Sequence, residues 1–371
     1  MQKGVVFFVL MLFFFKSYGS DKKKHSSTGK ELQIVFCTDL SGSTNGLIND
    51  LRDNLWHIIN QAHFIAPDAE LKIGVVAFSR PSFKKEHSYV KVLCDLTSDF
   101  DYLASELSRI RPSIEKGDQF VGAALRTCVT EISWSDDAFK IIYIIGNGMV
   151  EDASNEYIKS CELAVKNSIT VNSVYAIGKN KAKEYMGWLR IAKAGGGMCS
   201  EITIGNREAW SDFTVDYKEL FDAFRDYNLT TTYYTVSGFE KYMNYRRADS
   251  LAFTGGNAVF YERAYYKKRR FVSGYHSEWD LVDYNIKTGF LPAFNETLLL
   301  PDSLKDRNGE YIFDLVKVLK VERGRAASRL KNVLASDVPS QLYQKYVSGE
   351  FKEERNMFSR CIINILMKQY H

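Results

Sequence analysis

The chain has 371 residues, 45% hydrophobic and 25% charged, with a formal net charge of +4 at pH 7. That size and apolar content give a full core with room for about two domains and argue against disorder. The near-neutral balance argues against a nucleic-acid partner, which would bring a clustered basic face and a much higher pI.

Residues 1–20 read as a cleavable secretory signal: Lys3, the unbroken apolar stretch Val5 to Phe15, then Ser17-Tyr18-Gly19, where two small residues flank a larger one. The stretch is shorter than the roughly 20 apolar residues of a permanent span. Cleavage is expected after Gly19 or Ser20, giving an exported chain, periplasmic or secreted, with no transmembrane span once mature. Loss of residues 1–19 removes Lys3 and Lys16 and no acid, leaving +2.

From residue 31 strand and helix patterns alternate. Strands are expected at 32–38, 70–78, 89–95, 139–146, 170–177 and 198–204. Helices are expected near 45–64, 99–110, 120–133, 155–167 and 181–194. In the first helix Ile48, Leu51, Leu55, Ile58 or Ile59 and Ala62 share one face. Near-continuous apolar runs such as Ile141-Ile142-Tyr143-Ile144-Ile145, separated by helices, mean a mostly parallel sheet covered on both faces. The 89–95 strand follows 70–78 through the polar loop Ser79 to Ser88 without a helix, and is the expected antiparallel edge. The fold class is α/β: a doubly wound, mostly parallel sheet with one antiparallel edge strand, followed by a mainly helical C-terminal domain.

The first strand, Leu32-Gln33-Ile34-Val35-Phe36-Cys37, runs into Asp39-Leu40-Ser41-Gly42-Ser43. One carboxylate and two hydroxyls, two residues apart and bent by a glycine, put hard oxygens at the carboxyl edge of a sheet. Such oxygens suit Mg²⁺, with Mn²⁺ or Ca²⁺ as alternatives. Open α/β sheets bind ligands at that edge. A plainer account makes Ser43, Thr44 or Asn45 a helix cap satisfying orphan amides.

The D-x-S-x-S string in this setting resembles the metal-ion-dependent adhesion site of von Willebrand factor type A domains, over residues 31–205. The resemblance implies further ligands from a threonine before a G-x-A-L helix start and from an aspartate in an I-x-D-G strand end. Here Gly122-Ala123-Ala124-Leu125 matches the helix start, but Gly117-Asp118-Gln119-Phe120-Val121 before it holds no threonine, leaving Asp118 as the acidic candidate. The second strand end, Ile144-Ile145-Gly146-Asn147-Gly148, carries Asn147 where the family has aspartate. The implied metal ligands are therefore Asp39, Ser41, Ser43, Asp118 and Asn147. The implied function is cation-bridged binding of a partner protein's acidic side chain.

After Gly205 the alternation stops. Residues 206–371 are expected to form a mainly helical C-terminal domain, with helix over 208–227 and 303–370 and weaker periodicity over 228–300. Lys267-Lys268-Arg269-Arg270 reads as a solvated turn or helix face. Glu278, Asp280 and Asp283 are either an acidic ligand cluster or, preferably, a helix start with acids at its dipole, burying Trp279, Leu281 and Val282. Tyrosines at 233, 234, 242, 245, 261, 265, 266 and 275 suit either an interface or core packing. The last helix, 350–370, is expected to dock on the helix at 311–334. The six cysteines sit on strands and apolar helical stripes, as buried thiols rather than a disulfide framework.

No G-x-S-x-G, H-E-x-x-H or phosphate-cradling loop is present. The six histidines are scattered without partners, and none suits a general base. A hydrolase using the cation to activate water would have Asp118 as its sole base. The expectation is a non-enzymatic protein-binding module using a divalent cation. The alternative is a scaffold protein with a decayed, metal-free site that binds through its helical half.

Overall fold

The computed structural model describes residues 30–371 apart from 85–87, 113–114, 116–119, 151–155, 179–180, 207–213, 272–273, 294–298 and 353–356. The export signal expected at 1–20, and with it Asp118 and Gln119, lies outside the described residues.

Strands β1 (Glu31–Asp39), β2 (Glu70–Phe78), β3 (Lys91–Thr97), β4 (Ala138–Gly146), β5 (Ile169–Ala176) and β6 (Gly196–Ile202) form one sheet in the order β3-β2-β1-β4-β5-β6. All neighbours are parallel except β2 and β3, which run antiparallel with irregular register. The sequence expectation of an antiparallel edge at that strand is met. Because strand side chains alternate between faces, Leu32, Ile34 and Phe36 of β1 enter one core while Val35 and Cys37 enter the other. Helices α1 (Leu47–Ile65) and α2 (Phe100–Arg109) lie on the first face. On the opposite face lie α3 (Val121–Thr130), α4 (Glu156–Lys166) and α5 (Lys181–Ala194).

The second half is helical: α6 (Tyr217–Leu229), α7 (Val236–Thr254), α8 (Asn257–Lys268), α9 (Leu281–Thr288), α10 (Asp302–Lys305), α11 (Gly309–Val333), α12 (Val338–Ser348) and α13 (Phe358–Tyr370). Helices α6, α7, α8, α11, α12 and α13 share a core with the first face of the sheet, while α9 packs against α11 in a separate small cluster. Helices α8, α12 and α13 pack on α1, and α7 packs on α2. Tyr143 of β4 donates to the Ile362 carbonyl of α13 at 3.1 Å, and Asn172 of β5 exchanges hydrogen bonds with Gln369 at 2.9 and 2.7 Å.

Three features of this half depart from the sequence reading. Residues 228–300 contain the helices α7 and α8, whose apolar period is erased because Asn244, Asp249, Glu262, Arg263 and Lys267 point inward. Lys267 of the basic run is buried rather than solvated; its Nζ donates to Asn228 Oδ1 at 2.6 Å and Asp249 Oδ2 at 3.0 Å and stands 3.9 Å from the Tyr245 ring centre. The last helix begins at Phe358, after a short 3-10 turn at Glu350–Lys352, and docks on α1 and β6 rather than on α11. His57, read as partnerless, meets Glu262 Oε1 through Nδ1 at 2.6 Å and the Tyr346 hydroxyl through Nε2 at 3.2 Å, linking α1 to α8 and α12.

Candidate functional site at the carboxyl edge of the sheet

Asp39 is the last residue of β1, in register with Phe78, and its side chain is fully buried. The chain turns at once, because the Ser41 amide donates to Asp39 Oδ1 at 2.8 Å. A 3-10 turn at Gly42–Thr44 follows, then Gly46 at φ +107°, a conformation open to glycine, from which α1 starts. Thr44 is not a helix cap: its hydroxyl donates to the Asp39 and Ser41 carbonyls at 3.0 Å each, folding the loop back on the strand end. The start of α1 has no side-chain cap, so the plainer account of this loop fails.

Three of the expected oxygens converge. Ser41 Oγ and Ser43 Oγ are 3.0 Å apart, and Ser43 Oγ donates to Asn147 Oδ1 at 2.9 Å. Asn147 returns a bond from Nδ2 to the Ser43 carbonyl at 3.3 Å, joining the end of β4 to the β1 loop. Asp39 and Ser41 are buried while Ser43 is exposed, so the group runs from the interior to solvent. Among the described residues no three His, Cys, Asp or Glu side chains group to hold a metal; the candidate donors are one carboxylate, two hydroxyls and an amide.

These donors can be tested against a cation. Oxygens bound to Mg²⁺ at about 2.0–2.1 Å in an octahedron lie about 3 Å apart along each edge. The separations of 3.0 and 2.9 Å match two such edges. The same separations serve the hydroxyl hydrogen bonds.

The supporting residues were not read from the sequence. Gly146 ends β4 against Asp39, and Gly148 beyond Asn147 has φ +83°. Glu184 Oε2, on α5, accepts from the Gly148 amide at 3.1 Å and from the Tyr175 hydroxyl at 2.8 Å. Trp188, one turn later, donates from Nε1 to the Gly148 carbonyl at 3.1 Å. Burial, then the Glu184 carboxylate, push the Tyr175 hydroxyl up to about 12. On the other side, the Glu115 carbonyl accepts from the Gly42 amide at 2.6 Å, and its carboxylate accepts from the Ser82 amide at 3.0 Å, 4.0 Å from Arg80 Nε. A glutamate and a tryptophan four apart on α5, the helix after β5, were the available signal.

The other acidic candidates do not form a ligand site. Asp280 caps α9 by accepting from the Asp283 amide at 2.7 Å, and Arg323 Nη1 donates to both carboxylates at 2.6 Å. Trp279, Leu281 and Val282 are buried, as that helix start implies.

An open, mostly parallel sheet with one antiparallel edge, helices on both faces and a D-x-S-G-S loop at its carboxyl edge make up the doubly wound α/β fold expected from the sequence. No family model and no curated protein matches the chain. Among solved structures it is similar to the conserved hypothetical protein BatB from Bacteroides thetaiotaomicron, with 14% identity, covering 47% of this chain and 92% of that one at a TM-score of 0.37. It is also similar to the SpRpn10 VWA domain, with 15% identity over 48% of this chain and 90% of that one at 0.36. A von Willebrand factor type A protein from Catenulispora acidiphila gives 17% identity over 47% and 39% at 0.37. Among the described residues no helix is long and apolar enough to cross a membrane.

Proposed function

We propose that the chain is a non-catalytic protein-binding module in which Asp39, Ser41, Ser43 and Asn147 hold a divalent cation, Mg²⁺ in the first instance, that engages an acidic side chain of a partner protein. Asp118 is the further candidate ligand. The observation that carries this reading is the run of oxygens from Ser41 through Ser43 to Asn147 at octahedral-edge separations, beside the buried Asp39. The cation supplies a positive centre that accepts a carboxylate oxygen, and the exposed side of the group at Ser43 is where a partner approaches. Export through residues 1–20, and a division into a type A unit at 31–205 and a helical unit at 206–371, belong to the same proposal.

Calorimetry with Mg²⁺ and Mn²⁺ on the wild type and on Asp39→Ala tests it. Binding to the wild type and none to the variant supports the reading. Absence of binding to the wild type removes it and leaves the scaffold alternative, in which the helical half makes the contacts. A glutamate-rich peptide column, run with and without chelator, then tests the acidic partner.

A further inference from the structure

Asn147 stands where the amide brings no charge, so its value as a ligand depends on where its Oδ1 is held. Its side chain meets only the β1 loop in the bonds described above, and its backbone leads into Gly148, a glycine at positive φ with wide conformational freedom. Such a position needs an external restraint. Helix α5 provides one on each side of Gly148: the amide is bound by Glu184 and the carbonyl by Trp188, both at 3.1 Å. Residues four apart on a helix lie on one face, so a single helix face grips both polar groups of one residue.

That face fits its target closely. A Cβ at Gly146 would come 2.9 Å from Trp188 Cη2, and a Cβ at Gly187 would come 3.1 Å from Val150 Cβ. Trp188 is fully buried and Glu184 nearly so. The glutamate is itself fixed, because Tyr175 donates to the same Oε2, and the Gly178 amide donates to the Tyr175 hydroxyl at 3.0 Å. Strand β5 therefore orients Glu184, Glu184 and Trp188 fix Gly148, and Gly148 fixes Asn147.

We propose that Glu184 and Trp188 of α5 are positioning residues for Asn147, setting where its amide oxygen meets Ser43 and any cation held there. This rests on the cation reading above for its effect on affinity, and on hydrogen bonding alone for its effect on Asn147. Loss of such supporting contacts behind a metal ligand typically costs 10–100-fold in affinity.

The experiment compares wild type, Glu184→Ala, Glu184→Gln and Trp188→Phe in the full mature chain, with two readouts. One is the NMR position of the Asn147 side-chain amide and the Gly148 backbone amide without metal. The other is Mn²⁺ affinity by titration. In Glu184→Ala and Trp188→Phe both sets of resonances should move and Mn²⁺ should bind about 10–100-fold more weakly. Glutamine keeps an oxygen able to accept both donors, so Glu184→Gln should restore affinity to within about threefold of wild type while alanine does not. Unchanged Asn147 resonances in both Glu184→Ala and Trp188→Phe, in proteins that keep the wild-type fold by circular dichroism, overturn the inference. If either variant unfolds, the remaining one and Tyr175→Phe decide it: Tyr175→Phe removes one restraint on Glu184 and should shift the Asn147 signals, and unchanged signals in both overturn the inference. Failure of the wild type to bind Mn²⁺ overturns the cation reading only, because the resonance comparison still decides whether α5 positions Asn147.

Discussion

Asp39 lies against Gly146 so closely that a Cβ added at 146 would stand 2.7 Å from the Asp39 Cβ and 3.2 Å from its Oδ2. The carboxylate at the end of β1 is thus seated on the bare backbone at the end of β4, with Trp188 beneath. Gly146→Ala should push Asp39 out of place and strain Trp188, costing about 1–3 kcal/mol as overpacking does. Thermal unfolding reads the loss of stability. Cation binding should weaken more than a stability loss alone explains, and a Gly146→Ala variant with wild-type Mn²⁺ affinity would show that Asp39 is not a ligand.

Asn147 is the second place where charge decides. Replacement by aspartate keeps an oxygen for the Ser43 hydroxyl, which donates to Oδ1 at 2.9 Å, and loses the Nδ2 bond to the Ser43 carbonyl. It also adds a second carboxylate near the buried Asp39. With a cation the added charge is favourable, since ligand charge tunes affinity for hard dications. Without one, two carboxylates at one site repel. Asn147→Asp should therefore bind Mg²⁺ about tenfold or more tightly and be less stable than wild type in chelator. Calorimetry and melting with and without Mg²⁺ check both signs; equal melting temperatures in the two conditions would count against a cation at this edge.

Much of this was open to inspection in the sequence. The six strands, the antiparallel edge and the Asp39-Ser41-Ser43 turn follow from apolar runs bounded by oxygen-bearing residues, because a parallel sheet buried on both faces leaves few other places for such runs. What supports the site was hidden: Glu184 and Trp188 act across space from a helix 36 and 40 residues beyond Gly148. Helices α7 and α8 were hidden for another reason. Periodicity assumes that the inward face is apolar, and here it carries Asp249, Arg263 and Lys267, whose charges compensate one another only once folded.

Arg323 gives a direct measure of such compensation. Its guanidinium donates to Asp280, Asp283, the Thr230 hydroxyl and the Thr230 carbonyl, tying α11 to the start of α9 and the end of α6. Burial raises the Asp283 carboxyl and Arg323 opposes that rise. Arg323→Met would leave two buried carboxylates without their cation, a loss worth about 3–5 kcal/mol. Urea denaturation should show a lower midpoint. The variant should also regain part of the loss when Asp280→Asn is added, whereas additive losses would mean that the pair does not interact.

Lys267 makes stability depend on alkaline pH. Burial is the largest influence and lowers its amine to about 7; Asp249 opposes that fall, and Arg263 adds to it. Phe224, Tyr227 and Tyr245 surround the ammonium, and Asn228 and Asp249 bind it. In the unfolded chain the amine titrates near 10.4. Between those values the unfolded state holds more protons than the folded one, so raising the pH stabilises the fold by up to about 1.4 kcal/mol per pH unit. Below about pH 7 lysine is charged in both states and its contribution levels off. The raised hydroxyls of Tyr227 and Tyr245 act in the opposite direction once free tyrosine ionises near pH 10, and the raised thiols of Cys37, Cys94, Cys161 and Cys361 do so from about pH 8.5, where free cysteine ionises. The lysine contribution is therefore read by difference: from about pH 7 to 9.5 the urea midpoint of the wild type should rise relative to that of Lys267→Met. Lys267→Met keeps Asp249 paired with Arg263 at 2.9 Å, so the variant should fold and lose the rise. A Lys267→Met variant with the wild-type slope would assign the pH dependence to another group.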